Sequence, residues 1–79
     1  LDEVEKRDKI INKMETTALQ YLDWIANMNE KDQKRCSSDF SHQLSIYAEI
    51  LQMKYDIRNL PAEEEARYGN YISIYNRLR

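Results

Sequence analysis

Three polar residues near the middle of the chain are of the types that nucleophilic catalysis uses. Ser38, Asp39 and His42 supply a hydroxyl, a carboxylate and an imidazole within one short stretch. Catalysis needs the imidazole aimed at the hydroxyl and held from behind by the carboxylate. Neighbouring positions of one helix cannot give that arrangement, whereas a Ser-Ser-Asp run is typical of a helix start, where its oxygens accept hydrogen bonds from free amides. We therefore assign no catalytic residues.

The sequence also contains two residues that bind soft metals, Cys36 and His42. A closed zinc site needs four protein ligands at recognisable spacings, and two residues do not supply them. We therefore predict neither a metal site nor a cofactor. A chain of 79 residues builds one small core, which is too little to enclose a deep substrate cleft. The sequence favours a domain that is not an enzyme.

Charge and hydropathy argue against two classes of partner. Twelve Lys and Arg residues face 14 Asp and Glu residues, a net charge of −2, so the cationic excess typical of nucleic-acid binding is absent. No apolar run approaches the roughly 20 residues that cross a bilayer, so we expect no membrane contact. The single cysteine, Cys36, fits a reducing compartment, and we expect an intracellular location, in cytoplasm or nucleus. Because the chain begins at Leu1, we interpret residues 1–79 as one domain of a longer protein.

Apolar spacing predicts the elements that position these residues. Apolar side chains recur at intervals of three and four, with one Gly and one Pro in the chain, so we expect an all-α fold. We predict a first helix over about residues 2–30, a polar loop over 29–38, a second helix over about 39–58 and a third helix from Pro61. The charged first two turns of the first helix should extend beyond the core. The prediction is a three-helix bundle of up-down-up sense with a long first helix.

The first predicted helix has an apolar face wider than one coiled-coil contact uses. Its heptad seam is interrupted by Arg7, and Ile10, Leu22 and Trp24 widen it to roughly 160° on a helical wheel. Such a face suits packing within a globular bundle. The seam consists of Val4, Ile11, Met14, Ala18, Tyr21, Ile25 and Met28.

The second predicted helix is apolar over roughly 240°, which indicates a central position. Two apolar series run side by side along it, and a narrow polar strip fills the remainder. The first series is Phe40, Leu44, Tyr47, Leu51 and Tyr55; the second is Ile46, Ile50, Met53, Ile57 and Leu60; the strip is Ser41, Ser45, Glu49, Gln52 and Asp56.

Two interpretations of this wide apolar face remain open. In one, the flanking helices cover both series within the monomer. In the other, one series stays partly open as a groove for a partner helix, and the predicted partner-binding residues are then Leu44, Tyr47, Leu51 and Tyr55. Six tyrosines favour an interface modestly, because each offers a large ring and a hydroxyl that can stay wet.

The resulting hypothesis is a helical protein–protein interaction or oligomerisation module of a larger intracellular protein. Its partner would be an amphipathic helix of another protein or a second copy of the chain. The alternative is a structural spacer within a longer helical rod. Trp24 in the first predicted helix resembles the tryptophan of spectrin-type repeats, which are longer, and this resemblance implies an analogy of architecture alone.

Overall fold

The computed structural model describes residues 2–55 and 57–79, with no account of the Ile57 side chain, and these residues are almost entirely helical. In chain order they form α1 (Glu3–Ala26), α2 (Glu30–Arg35), α3 (Ser37–Lys54), a 3₁₀ turn (Ile57–Asn59) and α4 (Ala62–Leu78). No strand occurs among the described residues. The all-α prediction is confirmed, with four α-helices in place of the three that the sequence analysis expects.

The additional helix is α2, which occupies most of the predicted polar loop over 29–38. Asn29 caps it, because its side-chain oxygen accepts a hydrogen bond from the Asp32 amide at 2.9 Å. Within α2, Lys34 approaches Glu30 at 3.8 Å and Arg35 approaches Asp32 at 3.9 Å. These local interactions form a short helix without an apolar stripe, and an apolar stripe is the signal on which the sequence prediction depends.

Because α2 fills this segment, α3 begins earlier than predicted. It starts at Ser37, directly after Cys36, and no side chain caps it. Ser38 and Asp39 lie inside its first turn, so the expected capping role of the Ser-Ser-Asp run is wrong.

At its other end α3 stops at Lys54, short of the predicted end near residue 58. Tyr55 has an extended backbone, with φ −135° and ψ 157°, and the 3₁₀ turn follows. Asp56, predicted for the polar strip, lies outside the described residues. Pro61 directly precedes α4, where its fixed φ suits the entry to a helix.

The core is built around α3, which packs against both α1 and α4. Aromatic side chains supply much of its volume, and Phe40 and Tyr47 are completely buried. Their rings meet α4, with ring centroids 6.2 Å apart for Phe40 and Tyr71 and 6.0 Å apart for Tyr47 and Tyr71. The core comprises Ile11, Ala18, Leu22, Ile25, Phe40, Leu44, Tyr47, Ile50, Leu51, Tyr71 and Ile74.

The first turns of α1 lie beyond this core. Every residue from Asp2 to Ile10 is exposed, as expected for the charged start of the first helix. Asp2 fixes the beginning of α1, because its carboxylate accepts a hydrogen bond from the Glu5 amide at 2.8 Å. With 24 residues, α1 is the longest helix and gives the molecule an elongated shape of 46 × 24 × 16 Å.

Among the described residues, no helix combines the length and the apolar character that crossing a membrane requires.

Candidate functional site

The predicted partner-binding residues lie mainly in the interior. Leu44, Tyr47 and Leu51 are buried in the core, and Tyr55 is half-buried just after the end of α3. Helices α1 and α4 cover this series, as the first interpretation of the wide apolar face expects. A partner cannot contact Leu44, Tyr47 or Leu51 while the helices stay packed.

Tyr47 illustrates why this series belongs to the core. Its ring packs 6.0 Å from that of Tyr68 between centroids, and its hydroxyl donates a hydrogen bond to Glu64 Oε2 at 2.6 Å. Burial and the hydrogen bond to Glu64 raise the pKa of Tyr47. The Tyr47 hydroxyl is therefore already engaged by α4 and holds the fold together.

Tyr71 makes a similar hydrogen bond between a different pair of helices. Its hydroxyl donates to Asp23 Oδ1 on α1, and burial together with this bond raises the pKa of Tyr71. Tyr71 therefore joins α4 to α1, while Tyr47 joins α3 to α4. The buried tyrosines serve as links between helices.

An ion pair joins the remaining two helices. Lys54 Nζ at the end of α3 lies 3.2 Å from Glu15 Oε1 on α1, and both side chains are mostly shielded from solvent. Burial alone would lower the pKa of Lys54, but the hydrogen bond and the negative charge of Glu15 outweigh it and raise that pKa. The positive charge of Lys54 thereby balances the negative charge of Glu15 within the fold.

The exposed apolar surface lies on a face of α1 next to the buried one. Ile11 and Leu22 face the core, whereas Ile10, Met14 and Trp24 are 61%, 43% and 62% exposed. On a helical wheel at about 100° per residue, these exposed residues lie roughly a quarter turn from the buried ones. The expectation that Ile10 and Trp24 pack inside the bundle is wrong, and the width of the stripe reflects two adjacent faces.

A groove between α1 and α3 continues this exposed face. One part, of about 420 Å³, is lined by Ile10, Met14, Thr17 and Ala18 of α1 and by Ile46 of α3. A second part, of about 440 Å³, shares Ile10 and Met14 and adds Met53 of α3. We call this continuous surface, defined by Ile10, Met14, Thr17, Ile46 and Met53, the α1–α3 groove.

The groove uses the second apolar series of the sequence analysis. Ile46 and Met53 belong to that series and lie about 120° to 140° around α3 from Phe40. The sequence analysis proposed an open groove on the first series and did not single out Ile10, Met14, Ile46 or Met53 as binding residues. The wide apolar stripe of the first predicted helix was the signal that could have indicated these residues.

Cationic side chains border the groove. Lys6, Arg7 and Lys13 line it together with one acid, Glu3. Lys6 approaches Glu3 at 4.0 Å, with both side chains largely in solvent, so this pair is weak. Within the described part of the chain, Arg7 and Lys13 make no ion pair with another side chain.

The residues considered first for chemistry do not form a site with one another. Ser38, Asp39 and His42 are exposed on the first turns of α3, and Cys36 is a half-buried free thiol. The described residues contain no group of three or more His, Cys, Asp or Glu side chains placed to hold a metal ion. A shallow depression of about 280 Å³ near Ser37, Ser38 and Ser41 is lined on its other side by α4.

Comparisons of the chain with protein-family models, with curated proteins and with solved structures find no match.

Proposed function

We propose that this domain is a helical protein–protein interaction module that binds one amphipathic helix in the α1–α3 groove. The observation that carries the proposal is the continuity of exposed Ile10, Met14 and Met53 across two helices. Large apolar side chains gathered in one concave surface are typical of helix-in-groove recognition. A spacer within a rod has no need of such a groove, and the interaction module is therefore the better-supported function.

The architecture that presents the groove is, in this proposal, an up-down-up bundle of α1, α3 and α4. The start of α3 meets the later part of α4 through Phe40 and Tyr71, and the end of α3 meets α1 through Lys54 and Glu15. These pairings support an α3 that runs opposite to both neighbours. Helix α2 then serves as part of the connection between α1 and α3.

The proposed function is tested by following backbone amide signals of the isotopically labelled chain in NMR. The probe is a peptide of about 16 residues with leucines along one helical face and glutamines elsewhere. We expect signal changes confined to residues 3–18 of α1 and 43–53 of α3. Changes spread over α4, or no changes at millimolar peptide, would contradict the proposal.

A pair of variants separates the groove from the rest of the surface. Met14→Glu places a charge on the groove floor and should abolish the signal changes. Because the Met14 side chain is 43% exposed, we expect this variant to remain folded. Ser73→Glu adds the same charge to an exposed position of α4 that does not line the groove. Peptide binding by Ser73→Glu should match that of the unmodified chain.

A further inference from the structure

We infer, resting on the proposed function, that the occupant of the α1–α3 groove is an acidic amphipathic helix of another protein. The chemistry is that of an apolar stripe flanked by Asp or Glu residues. Three observations carry this inference: the charges that border the groove, its length, and the poor fit of a second copy.

The charge at the groove is opposite in sign to that of the whole chain. Lys6, Arg7 and Lys13 line the groove against the single acid Glu3, whereas the chain has a net charge of −2. Two further acids of α1 lie nearby without lining the groove: Glu15 is engaged by Lys54, and Asp8 lines a neighbouring depression together with Lys54. An approaching helix therefore meets an apolar floor with a cationic border, and carboxylates beside its apolar stripe would complement that border.

The dimensions of the groove fit one helix of moderate length. Its lining residues on α1 run from Glu3 to Ala18, which at about 1.5 Å per residue is roughly 22 Å. A helix of about four turns covers this length. Apolar residues spaced three and four apart would reach Ile10, Met14 and Met53 in turn.

A second copy of the chain fits the groove less well. A two-fold dimer places the same patch on both sides of the interface, so Lys6, Arg7 and Lys13 of one copy would face the same border of the other. The acidic first turn of α4, with Glu63 and Glu65 exposed, has only small exposed apolar neighbours, Ala62 and Ala66. Thus neither route to self-association pairs an apolar stripe with an acidic border.

The test compares three labelled peptides of about 16 residues that share the leucine face and carry Glu, Gln or Lys at the flanking positions. Fluorescence anisotropy measures the Kd of each at about 0.05 M and 0.5 M salt. We expect the Glu peptide to bind about tenfold more tightly than the Lys peptide at low salt, with most of this difference lost at high salt.

Variants assign the preference to the border cations. The triple variant Lys6→Gln, Arg7→Gln, Lys13→Gln should bring the Kd of the Glu peptide to that of the Gln peptide, which itself should not change. Lys31→Gln removes an exposed cation from α2, away from the groove, and should leave all three Kd values unchanged. Circular dichroism of each variant confirms that the helices remain folded.

Each remaining outcome has a definite meaning. Equal Kd values for the three peptides, all weakened by Met14→Glu, would overturn the acidic partner and leave the proposed function standing. A dimer in sedimentation equilibrium that Met14→Glu dissociates would assign the groove to a second copy and overturn the acidic partner. Failure of every peptide to bind a monomeric chain would overturn the proposed function itself.

Discussion

Neighbouring apolar residues of α3 have different environments, which the sequence alone does not distinguish. Leu51 is 3% exposed and belongs to the core, whereas Met53 is 44% exposed and lines the groove. Both are large apolar residues on the same helix, and both continue a three-and-four spacing. Only their neighbours decide which one stabilises the fold and which one is available to a partner.

This difference gives a prediction for two alanine variants. Leu51→Ala removes buried methyl groups and leaves a cavity, so we expect it to lower the free energy of unfolding by about 2 to 5 kcal/mol. Met53→Ala should lower it by less than about 1 kcal/mol, because its side chain loses little burial. Urea unfolding followed by circular dichroism measures both. A small loss for Leu51→Ala would contradict its assignment to the core.

At the scale of elements, the connection between α1 and α3 is a structured segment with a buried side chain that bonds to the end of α1. Gln33 of α2 is buried, and its Nε2 donates hydrogen bonds to the carbonyl oxygens of Ile25 at 3.2 Å and Ala26 at 3.0 Å. Those carbonyls belong to the last turn of α1, where helical donors four residues ahead run out, and the Ile25 carbonyl also accepts a hydrogen bond from the Met28 amide at 3.0 Å. Thus α2 positions Gln33 to satisfy the end of α1.

We predict that Gln33→Ala destabilises the domain by about 1 to 2 kcal/mol, because it removes one buried and one partly buried hydrogen bond together with a packed side chain. Lys31→Ala, at an exposed position of the same short helix, is the matched control and should change stability by less than about 0.5 kcal/mol. Thermal unfolding of the two variants and the parent chain gives the comparison. Equal midpoints for Gln33→Ala and Lys31→Ala would show that α2 does not support α1.

The sequence predicts α1, α3 and α4 because their apolar spacing follows burial along most of each helix. It does not predict α2, whose stability comes from an Asn cap, local ion pairs and Gln33. The end of α3 is also missed, because Tyr55 and Ile57 continue the apolar spacing past the point where the backbone becomes extended. Periodicity indicates which face of a helix is apolar, but it does not indicate where along that face the helix ends.

The exposed apolar surface lies on other residues than those that the sequence analysis singled out. The sequence analysis recognised a surplus of apolar surface and assigned it to Tyr47 and Leu51 on the helix with the widest face. That helix, α3, lies between α1 and α4, which cover most of its apolar surface. The first helix has a narrower stripe, but its N-terminal part extends beyond the core, and so Ile10 and Met14 stay exposed. A helical wheel cannot show which part of a helix its neighbours cover.

For the whole molecule, the buried tyrosines couple stability to alkaline pH. The hydroxyls of Tyr47 and Tyr71 donate to Glu64 and Asp23, and they can do so only when protonated. Their pKa values are raised in the folded chain above the ordinary value of about 10. The folded state therefore retains protons that the unfolded state releases.

We predict that this contribution to stability is fully present below about pH 10 and is lost as the pH rises above it. Each of the two tyrosines can contribute up to about 1.4 kcal/mol per pH unit to the decline. Urea unfolding between about pH 8 and pH 11 measures the slope. The double variant Tyr47→Phe, Tyr71→Phe should show a flatter decline above pH 10, and an unchanged slope would contradict this role for the two hydroxyls.

The two tyrosine bonds also restrict how α4 can be placed along its neighbours. Packing of apolar rings alone would tolerate a shift of α4 along its axis, because one apolar contact would replace another of similar size. If α4 slides by one turn, the Tyr71 hydroxyl and the Glu64 carboxylate both move by about 5.4 Å, which separates Tyr71 from Asp23 and Tyr47 from Glu64 at the same time. Both carboxylates would lose their donors together. The two tyrosine hydrogen bonds thus select one axial position of α4 from several that hydrophobic packing alone would accept.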